Sequence, residues 1–388
     1  MGFMNICMVV HAYYPHDESR VQREALALLE KGQGVDVLCL RKGKEPPHGY
    51  HKGVNFYRLP VGKQVSPNLI GYLIEYVLFF LLSSLKLTTL FFKKHYRVIQ
   101  VHNPPDILIF AGLIPKIFGA RIVLDIHDLE PELYSAKFNI GMHHPFVKLL
   151  LVIEQLSCWF ADRVLIVTNI WRKKLLKRGI DEKKCSVLMN LPDESIFNSI
   201  SIKRSNTYFN LIYHGTLVKR YGVDIAIMAV NILKNKISEI RLNIIGEGEK
   251  LSELTRLTKK FSLEDKIYFN RKFIPVVEIP RIIATMDIGI VPNRLNNFTR
   301  DILNTKLLEY VAMHIPVVVS RTPGVEHYFD KEMVAFFEPG NAEELASRIL
   351  WLYENPGERD RLVANARKFF DHHRWAQEKK RYYHTIFS

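Results

Sequence analysis

The sequence is poor in cysteine and lacks the short motifs of several enzyme classes. Its 388 residues contain four cysteines, none in C-x-x-C spacing, which argues against a zinc site or a disulfide framework and fits a reducing compartment. A G-x-x-x-x-G-K-[ST] loop, a G-x-S-x-G elbow and a G-x-G-x-x-G turn after the first apolar run are missing. P-loop ATP hydrolysis, α/β-hydrolase chemistry and nicotinamide binding are therefore disfavoured. The N-terminal MGFMNICMVV has no basic region, so we expect no signal peptide.

Positive charge, by contrast, is abundant. Lys and Arg number 54 against 40 Asp and Glu, which gives a net charge of +14 at pH 7. Such a surplus suggests an anionic partner, namely nucleic acid, an anionic membrane or a phosphorylated substrate, and a solvated basic surface is the alternative. Residues 1–195 carry 25 basic and 18 acidic side chains and the remainder 29 and 22, so the surplus is evenly spread. Since no nucleic-acid module accompanies it, we expect no nucleic-acid partner.

Strand and helix patterns alternate along the whole chain. Short apolar runs, separated by stretches with helical spacing, predict the first strands: 3–10, 35–40, 98–101 and 121–126. The polar segment ISIKRSNTY predicts a linker over 199–208, after which the alternation restarts. The sequence therefore predicts an α/β protein with two Rossmann-like, doubly wound domains, 1–198 and 199–371. Ligands of such sheets bind at the carboxyl ends of the strands, so we expect the domains to face each other across a binding cleft.

The segment 69–92 is long and apolar enough to cross a bilayer. Glu75 and Lys86 interrupt it, however, which disfavours a spanning helix. A buried helix or helix pair and a helix on the membrane surface remain as alternatives. Aromatic residues beside Lys93 and Lys94 are what a contact with an anionic membrane surface uses.

The strongest local signal is FTRDILNTKLLEYVAMHIPVVVS, residues 298–320. A helix is predicted to begin near Asn304 or Thr305, with Asp301 just before it and Glu309 eight positions after Asp301. The free N–H groups and positive dipole at a helix N-terminus suit a diphosphate. Carboxylates accept hydrogen bonds from vicinal hydroxyls, such as those of a ribose or hexose. Ordinary helix capping accounts for the same residues, so both interpretations stay open.

This segment and the two-domain order of elements resemble the family-4 retaining glycosyltransferases of GT-B fold, which make polysaccharides and glycolipids. That family carries E-x7-E in this loop, then a helix and G-x-P-V-V. The corresponding residues here are Asp301-x7-Glu309 and, after the helix, HIPVV beginning at His314. The resemblance implies that Glu309 binds the donor ribose and that Asp301 contacts the donor sugar. The chain departs from the family in the shorter Asp301 and in His314, which replaces a glycine.

The resemblance also implies a nucleotide-sugar site in the second domain. The segment YHGTLVKRYGVDIAI, residues 213–227, resembles the opening of that domain, where the family often has Arg and Lys for the donor phosphates. Thr216 and Tyr221 occupy those positions, with Lys219 and Arg220 beside them, and an exposed basic loop is the alternative interpretation. The predicted donor-binding residues are Gly215, Thr216, Lys219, Arg220, Leu303, Asn304, Thr305, Lys306 and Glu309.

In the first domain, three loops that follow or precede predicted strands carry polar residues. RIVLDIHDLEPELY places His127 and Asp128 at a strand end, and the family has a histidine near the donor sugar there. The resemblance assigns a catalytic role to His127, together with Asp301, against the alternative of a capping or core histidine. His102 follows another strand, and Arg20 lies in a D-x-x-R helix start that suits an acceptor phosphate. Arg20, His102 and Asp128 are the acceptor-side candidates.

Taken together, the resemblance implies a hexosyl-type transferase. It would move a sugar from a UDP- or GDP-sugar to a saccharide or lipid-linked acceptor, with retention of configuration. The D-x-D triplet of the metal-dependent glycosyltransferases is missing, so we expect no metal and no cofactor. The donor base, sugar, acceptor, linkage and oligomeric state stay open. Rival hypotheses are a nucleotide-sugar epimerase of the same fold and a catalytically silent partner protein. We expect a cytoplasmic location, peripheral on the inner face of the membrane, and a C-terminal helix, 372–388, that packs back on the first domain.

Overall fold

A computed structural model describes residues 3–15, 18–63, 69–198, 207–270 and 274–388. Most of the predicted linker 199–208 lies outside these residues. The chain divides into two compact units, one of Met1–Asn190 with Ala376–Ser388 and one of Leu191–Trp375. The predicted α/β class with two doubly wound sheets is confirmed, since each unit is built on one mostly parallel sheet.

The first unit contains an eight-stranded sheet in the order β3-β4-β2-β1-β5-β6-β7-β8. All neighbouring strands are parallel except β3 and β4, which form an antiparallel pair at the edge. The strands are β1 (Asn5–Val10), β2 (Gly34–Leu40), β3 (His48–His51), β4 (Val54–Leu59), β5 (Tyr96–His102), β6 (Arg121–Ile126), β7 (Arg163–Ile166) and β8 (Cys185–Val187). Strands β1, β2, β5 and β6 are buried along most of their length because helices cover both faces of such a sheet, which is why they read as apolar runs.

In the described part of this unit, six α-helices lie between these strands. They are α1 (Ser19–Glu30), α2 (Leu69–Lys94), α3 (Leu113–Ile117), α4 (Glu130–Phe138), α5 (Pro145–Phe160) and α6 (Asn169–Lys177). The apolar segment that the sequence left open is the single helix α2. The helical stretch predicted from 106 begins as a 3-10 helix, Asp106–Gly112, and continues directly as α3.

The second unit contains a six-stranded parallel sheet in the order β11-β10-β9-β12-β13-β14. Its strands are β9 (Phe209–His214), β10 (Ile240–Ile245), β11 (Ile267–Asn270), β12 (Ile288–Val291), β13 (Val317–Ser320) and β14 (Ala335–Phe337). Its helices are α7 (Val223–Leu233), α8 (Leu251–Lys260), α9 (Ile279–Ile283), α10 (Thr305–Ala312), α11 (Pro323–Glu326), α12 (Ala342–Glu354), α13 (Pro356–Ala366) and α14 (Phe369–His372). Strand order reverses at β9, so β9 and β12 flank the switch point where ligands of such sheets bind.

The last helix, α15 (Trp375–Phe387), groups with the first unit from Ala376 onward. Tyr382 is fully buried there, and its hydroxyl donates to Gln100 Oε1 at 2.7 Å. The Glu378 carboxylate accepts from the backbone N–H of Met189 at 2.9 Å. Both contacts place α15 against strands and loops of the first unit, so the chain completes that unit with a segment that follows the second one.

Candidate functional site

In the first unit, three polar side chains meet at the carboxyl edge of the sheet. His102 ends β5, Asp125 lies near the end of β6, and His127 follows β6 directly. Asp125 Oδ2 lies 3.1 Å from His102 Nδ1 and 3.3 Å from His127 Nε2, and the two histidine nitrogens are 3.0 Å apart. Adjacent parallel strands end at the same edge, which brings together residues that are 23 positions apart.

Arg20 compensates the charge of the Asp125 carboxylate. Its Nε and Nη2 lie 3.0 and 2.7 Å from the two Asp125 oxygens, and its Nη1 donates to the backbone oxygen of Leu188 at 3.0 Å. Arg20 is 2% exposed and His102 is fully buried. The sequence assigned both to the acceptor, but in this geometry Arg20 Nε and Nη2 and His102 Nδ1 contact Asp125. We therefore interpret them as positioning residues, since a bidentate arginine–carboxylate pair fixes the orientation of both groups.

The same contacts determine the charge of the cluster. Burial alone would raise the pKa of Asp125, but Arg20 and His127 hold it well below its usual range, so this carboxyl is ionised. Burial lowers the pKa of His127 to about 4, and the nearby Arg20 adds to this effect while Asp125 opposes it. His127 is therefore neutral at pH 7 and can donate or accept a hydrogen bond.

Asn103, which follows a predicted strand together with His102, fixes the backbone around His127. Its Oδ1 accepts from the N–H groups of His127 at 2.6 Å and Asp128 at 3.3 Å. Its Nδ2 donates to the Asp128 carbonyl and to Asp106 Oδ1, both at 2.7 Å. One side chain thus holds the loop on which both His127 and the acceptor-side candidate Asp128 lie. Asp128 is itself half-buried.

The spacing of His102, Asp125 and His127 is also one that a divalent metal ion uses, because all three ligand atoms lie within 4.8 Å of one another. The Arg20 guanidinium already contacts both carboxylate oxygens, so a further cation at this carboxylate would be repelled. Hydrogen bonding accounts for the arrangement without a metal.

In the second unit, Glu309 on α10 meets His214 at the end of β9. Glu309 Oε2 lies 2.5 Å from His214 Nε2, and His214 Nδ1 lies 2.9 Å from the Tyr310 hydroxyl. The Glu309 and His214 side chains are 15% and 11% exposed, so this carboxylate is oriented and still partly accessible. His214 and Tyr310 were not predicted from the sequence. The switch point between β9 and β12 brings His214 beside a helix that lies almost a hundred residues later.

Lys306, in the first turn of α10, is a buried cation beside this carboxylate. Its Nζ lies 4.6 Å from the centre of the Tyr221 ring and 5.0 Å from that of Tyr213. Burial lowers the pKa of Lys306 to about 8, Glu309 opposes this shift, and Arg220 adds to it. The site thus holds an amine whose charge is poorly solvated, which favours an incoming anion.

The loop that precedes α10 holds the remaining predicted residues of this segment. The α10 N-cap residue Asn304 makes no side-chain cap; its Oδ1 instead accepts from Asn293 Nδ2 at 2.5 Å. Leu303 is half-buried and Thr305 is exposed. The Asp301 side chain is 10% exposed, with Oδ1 3.8 Å from Arg300 Nε. Asn304 therefore does not cap α10 with its side chain, so capping does not explain why this residue is here.

The side chains of the predicted basic loop differ in their exposure to solvent. Thr216 and Lys219 are exposed, while Arg220 is half-buried with its guanidinium 5.0 Å from the centre of the Tyr221 ring. Gly215 has a φ of +124°, and a β-carbon there would lie 3.1 Å from Lys306 Cε. Gly215 therefore provides space for the Lys306 side chain.

Two further backbone positions in this unit have positive φ angles. A β-carbon at Gly246, whose φ is +145°, would lie 2.0 Å from the carbonyl oxygen of Gly215. Gly246 therefore allows the loops that follow β9 and β10 to pack closely together. His314 has a φ of +57°, a left-handed conformation that favours glycine, which accounts for the family glycine that His314 replaces.

Comparisons with known proteins agree over nearly the whole chain. The glycosyl transferase 4-like domain model matches residues 18–190, and the glycosyl transferases group 1 model matches residues 196–369. Sucrose-phosphate synthase from Thermosynechococcus elongatus shares 17% identity, covers 97% of both chains and has a TM-score of 0.77. Anabaena HepE in complex with UDP shares 15% identity over 99% of both chains, with a TM-score of 0.72.

Among curated relatives, chitobiosyldiphosphodolichol beta-mannosyltransferase of Candida albicans is 23% identical over 74% of this chain and 67% of its own length. Putative colanic acid biosynthesis glycosyltransferase WcaL of Escherichia coli is 26% identical over 49% of this chain and 47% of its own. One component of human phosphatidylinositol N-acetylglucosaminyltransferase is 21% identical over 86% of this chain and 66% of its own. The matches thus span about two thirds of these relatives' lengths or less. The two family models, which together match both units, and the shared fold show that this chain belongs to the family-4 type of GT-B glycosyltransferases.

Proposed function

We propose that this protein transfers a hexosyl group from a UDP- or GDP-sugar to a saccharide or lipid-linked acceptor, with retention of configuration. One observation carries the donor half of this proposal. In the second unit, the buried Lys306 amine, the oriented Glu309 carboxylate and the start of α10 lie together at the sheet's switch point. These are the groups that a sugar nucleotide requires.

Each group has a distinct task toward the donor. Glu309 accepts hydrogen bonds from the ribose hydroxyls, and His214 holds its carboxylate in place. The backbone N–H groups of Leu303 to Lys306 and the Lys306 amine receive the diphosphate. Negative charge accumulates on this diphosphate as the glycosidic bond breaks, and prearranged donors and cations stabilise it without a metal. Lys219 and Arg220 supply further positive charge, and Asp301 contacts the sugar.

His127 acts through hydrogen bonding. Because it is neutral at pH 7, it donates to or accepts from a hydroxyl of the transferred sugar. We assign no protein side chain as general base: in a retaining transfer, the departing phosphate takes the acceptor's proton. Asp128 remains the acceptor-side candidate that lies beside His127.

Relatives support the acceptor class. Two of them are named for chitobiosyldiphosphodolichol and for phosphatidylinositol, both lipids, and one for colanic acid, a polysaccharide. HepE was solved with UDP, with UDP and glucose, and with UDP-glucose, which supports a UDP-sugar among the donors to be tried first.

Calorimetry of donor binding tests the site. A thermal-shift screen of UDP- and GDP-sugars first identifies a donor, because a ligand that binds the folded state raises its apparent stability. Glu309→Ala should then weaken binding of that donor by about 10- to 100-fold, as expected when hydrogen bonds to a charged group are lost. Glu264→Ala, an exposed glutamate of the same unit, is the matched control. Unchanged affinity in Glu309→Ala would remove this residue from the site.

The reaction itself is tested by incubating donor with and without acceptor lipids and oligosaccharides. Product that forms only with acceptor, and whose new linkage keeps the donor's anomeric configuration by NMR, supports the proposal. Conversion of donor alone would indicate an epimerase. Donor binding without any turnover would indicate a catalytically silent partner protein.

A further inference from the structure

The exposed apolar side chains are concentrated on the first unit. Of the 23 large hydrophobic side chains that are exposed in the described part of the chain, 16 lie on three segments: α2, residues 106–118 and α5. Exposed single hydrophobic residues need no explanation, but a contiguous set of this size marks an interaction surface. We name the exposed apolar side chains of these three segments the apolar face.

The three segments form one continuous surface. The 3-10 helix Asp106–Gly112 packs against both α2 and α5. The Phe92 ring of α2 lies 5.1 Å from that of Phe118, and the Phe110 ring lies 5.0 Å from that of Phe160 on α5. Lys116 donates to the Phe160 carbonyl at 2.7 Å. Right-handed crossovers place these consecutive connections on one side of the sheet, so their outer surfaces face the same way.

Helices α2 and α5 carry apolar side chains on their outward faces as well as on their inward faces. On α2 the exposed residues Ile74, Leu78, Leu81 and Leu85 follow one another at helical spacing. On α5 the exposed stripe comprises Leu149, Val152, Leu156 and Trp159. The inward sides of both helices are buried separately, so the sheet does not account for these stripes.

On these segments the acidic side chains are buried, whereas the basic side chains are exposed or half-buried. Their three acidic residues, Glu75, Asp106 and Glu154, are 3%, 1% and 0% exposed. Lys93 and Lys148 are exposed, and Lys86, Lys94 and Lys116 are half-buried. Lys116 pairs with Asp162 at 2.7 Å. The outward charge that these segments themselves carry is therefore entirely positive.

From this combination we infer that the apolar face inserts into the surface of an anionic lipid bilayer. Apolar side chains enter the boundary of headgroups and acyl chains, while the flanking lysines meet anionic headgroups. The exposed Trp159 suits this depth, since indole rings favour the membrane interface. A second copy of the chain fits less well, because a symmetric contact would bring together two copies of a face whose outward charges are all positive.

The geometry also distinguishes insertion from spanning. Residues 73–94 are long and apolar enough to cross a membrane by length and composition. Their inward side, however, is fixed to the unit. Glu75 lies 2.9 Å from His11 Nε2, and Lys94 lies 2.6 Å from Asp36. A spanning α2 would have to break both pairs and expose the buried Phe79, so α2 lies along the membrane surface.

Helix α2, which carries part of the apolar face, reaches the edge of the sheet that carries His127. His11, the partner of Glu75, directly follows β1, and Tyr76 of α2 is hydrogen-bonded to Tyr134 of α4 at 2.6 Å between hydroxyl oxygens. A lipid-linked acceptor embedded in the same bilayer would therefore arrive at this edge. This last step rests on the proposed function, whereas bilayer binding stands without it.

Sedimentation with vesicles tests the inference without donor or acceptor. The vesicles are phosphatidylcholine alone or with about 30% phosphatidylglycerol, to represent an anionic leaflet. The triple variant Leu85→Ser, Ile117→Ser, Trp159→Ser changes one side chain per segment, each at least 67% exposed. It should bind anionic vesicles at least about tenfold more weakly than the wild type, because the inserted apolar area is lost. Tyr50→Ser with Val277→Ser, at 71% and 58% exposure, is the matched control and should bind like the wild type.

Two further measurements separate the contributions. Lys93→Gln and Lys148→Gln should each reduce the preference for anionic vesicles by about fivefold. Brominated lipids should quench Trp159 fluorescence, and Trp159→Phe should abolish that quenching, which tests whether α5 lies in the bilayer. If the wild type does not bind anionic vesicles, the inference is overturned. A wild-type dimer that the triple variant converts to monomers in light scattering also overturns it. Unchanged thermal unfolding and donor affinity in the triple variant distinguish loss of membrane binding from failure of the donor site.

Discussion

At the scale of single residues, the two polar clusters handle buried charge in opposite ways. Asp125 carries its charge inside the first unit because Arg20 lies bidentate against it, and His127 beside this pair stays neutral. Lys306 in the second unit lies between two tyrosine rings, and its charge is poorly solvated. The charge of the first cluster is paired within the protein, whereas an anion would stabilise the charge of the second.

His127 should affect turnover more than donor affinity. We expect His127→Ala to lower kcat by at least about tenfold, the equivalent of one good hydrogen bond, while the donor Kd changes by less than about threefold. His127→Gln, which keeps a hydrogen-bonding group, should recover part of the rate. Because burial lowers the pKa of His127 to about 4, this residue should cause no change in rate between pH 6 and 8. Equal turnover of wild type and His127→Ala would contradict the assignment.

Lys306 should make donor binding depend on pH. Burial lowers the pKa of Lys306 to about 8, so the amine is charged below that pH and loses its charge above it. The affinity for the nucleoside diphosphate should therefore be full below pH 8 and fall by up to about tenfold per pH unit above it. Calorimetry between pH 7 and 10 measures this. Lys306→Met should bind weakly at every pH, whereas the exposed Lys260→Met should keep the wild-type profile.

At the scale of the element, strands and loop positions could be predicted from sequence, but side-chain partners could not. Apolar runs place β1, β5 and β6 correctly, and hence the polar residues at their carboxyl ends. Arg20, however, meets Asp125, which lies 105 positions away, and that pairing depends on how α1 packs on the sheet. His214 was missed for the same reason. Exposure on α3 and α5 also escaped prediction, because apolar helices of an α/β fold are ordinarily buried.

The turn after α10 offers a direct test of an element's conformation. His314 has a φ of +57°, which costs a residue with a β-carbon about 1 kcal/mol or more relative to glycine. His314→Gly should therefore raise the melting temperature of the second unit by about 2–4 °C. His314→Ala retains the β-carbon and should not raise it, which separates backbone strain from loss of the imidazole. Differential scanning calorimetry measures the melting temperatures of both variants. A lower melting temperature for His314→Gly than for the wild type would contradict the strain argument.

At the scale of the whole molecule, the chain enters the second unit at Leu191 and returns to the first at Ala376. Helix α15 thereby supplies buried polar partners to strands that precede it by almost 300 residues. The Tyr382 hydroxyl is bonded to Gln100, and Gln100 Nε2 donates to Glu24 Oε2 at 2.7 Å. The polar interior of the first unit thus depends on the C-terminal helix.

Tyr382→Phe should therefore destabilise the first unit. It leaves the buried Gln100 oxygen without its hydroxyl donor, which costs about 1–3 kcal/mol in the free energy of unfolding. The neighbouring Tyr383 donates to the Ala27 carbonyl at 2.7 Å from a partly buried position. Tyr383→Phe should cost less, because water can replace its hydroxyl. Urea unfolding of both variants gives the comparison, and equal stability of Tyr382→Phe and wild type would contradict this account.

The position of α15 has a consequence for biosynthesis. On the ribosome, residues 1–190 emerge first, but the helix that completes their unit follows only after the 185 residues of Leu191–Trp375. At translation rates of roughly 5–20 residues per second, that interval lasts about 10–40 s. Throughout it, Gln100 and the surface that receives Tyr382 stay uncovered. The nascent first unit thus remains open to chaperones until α15 is made.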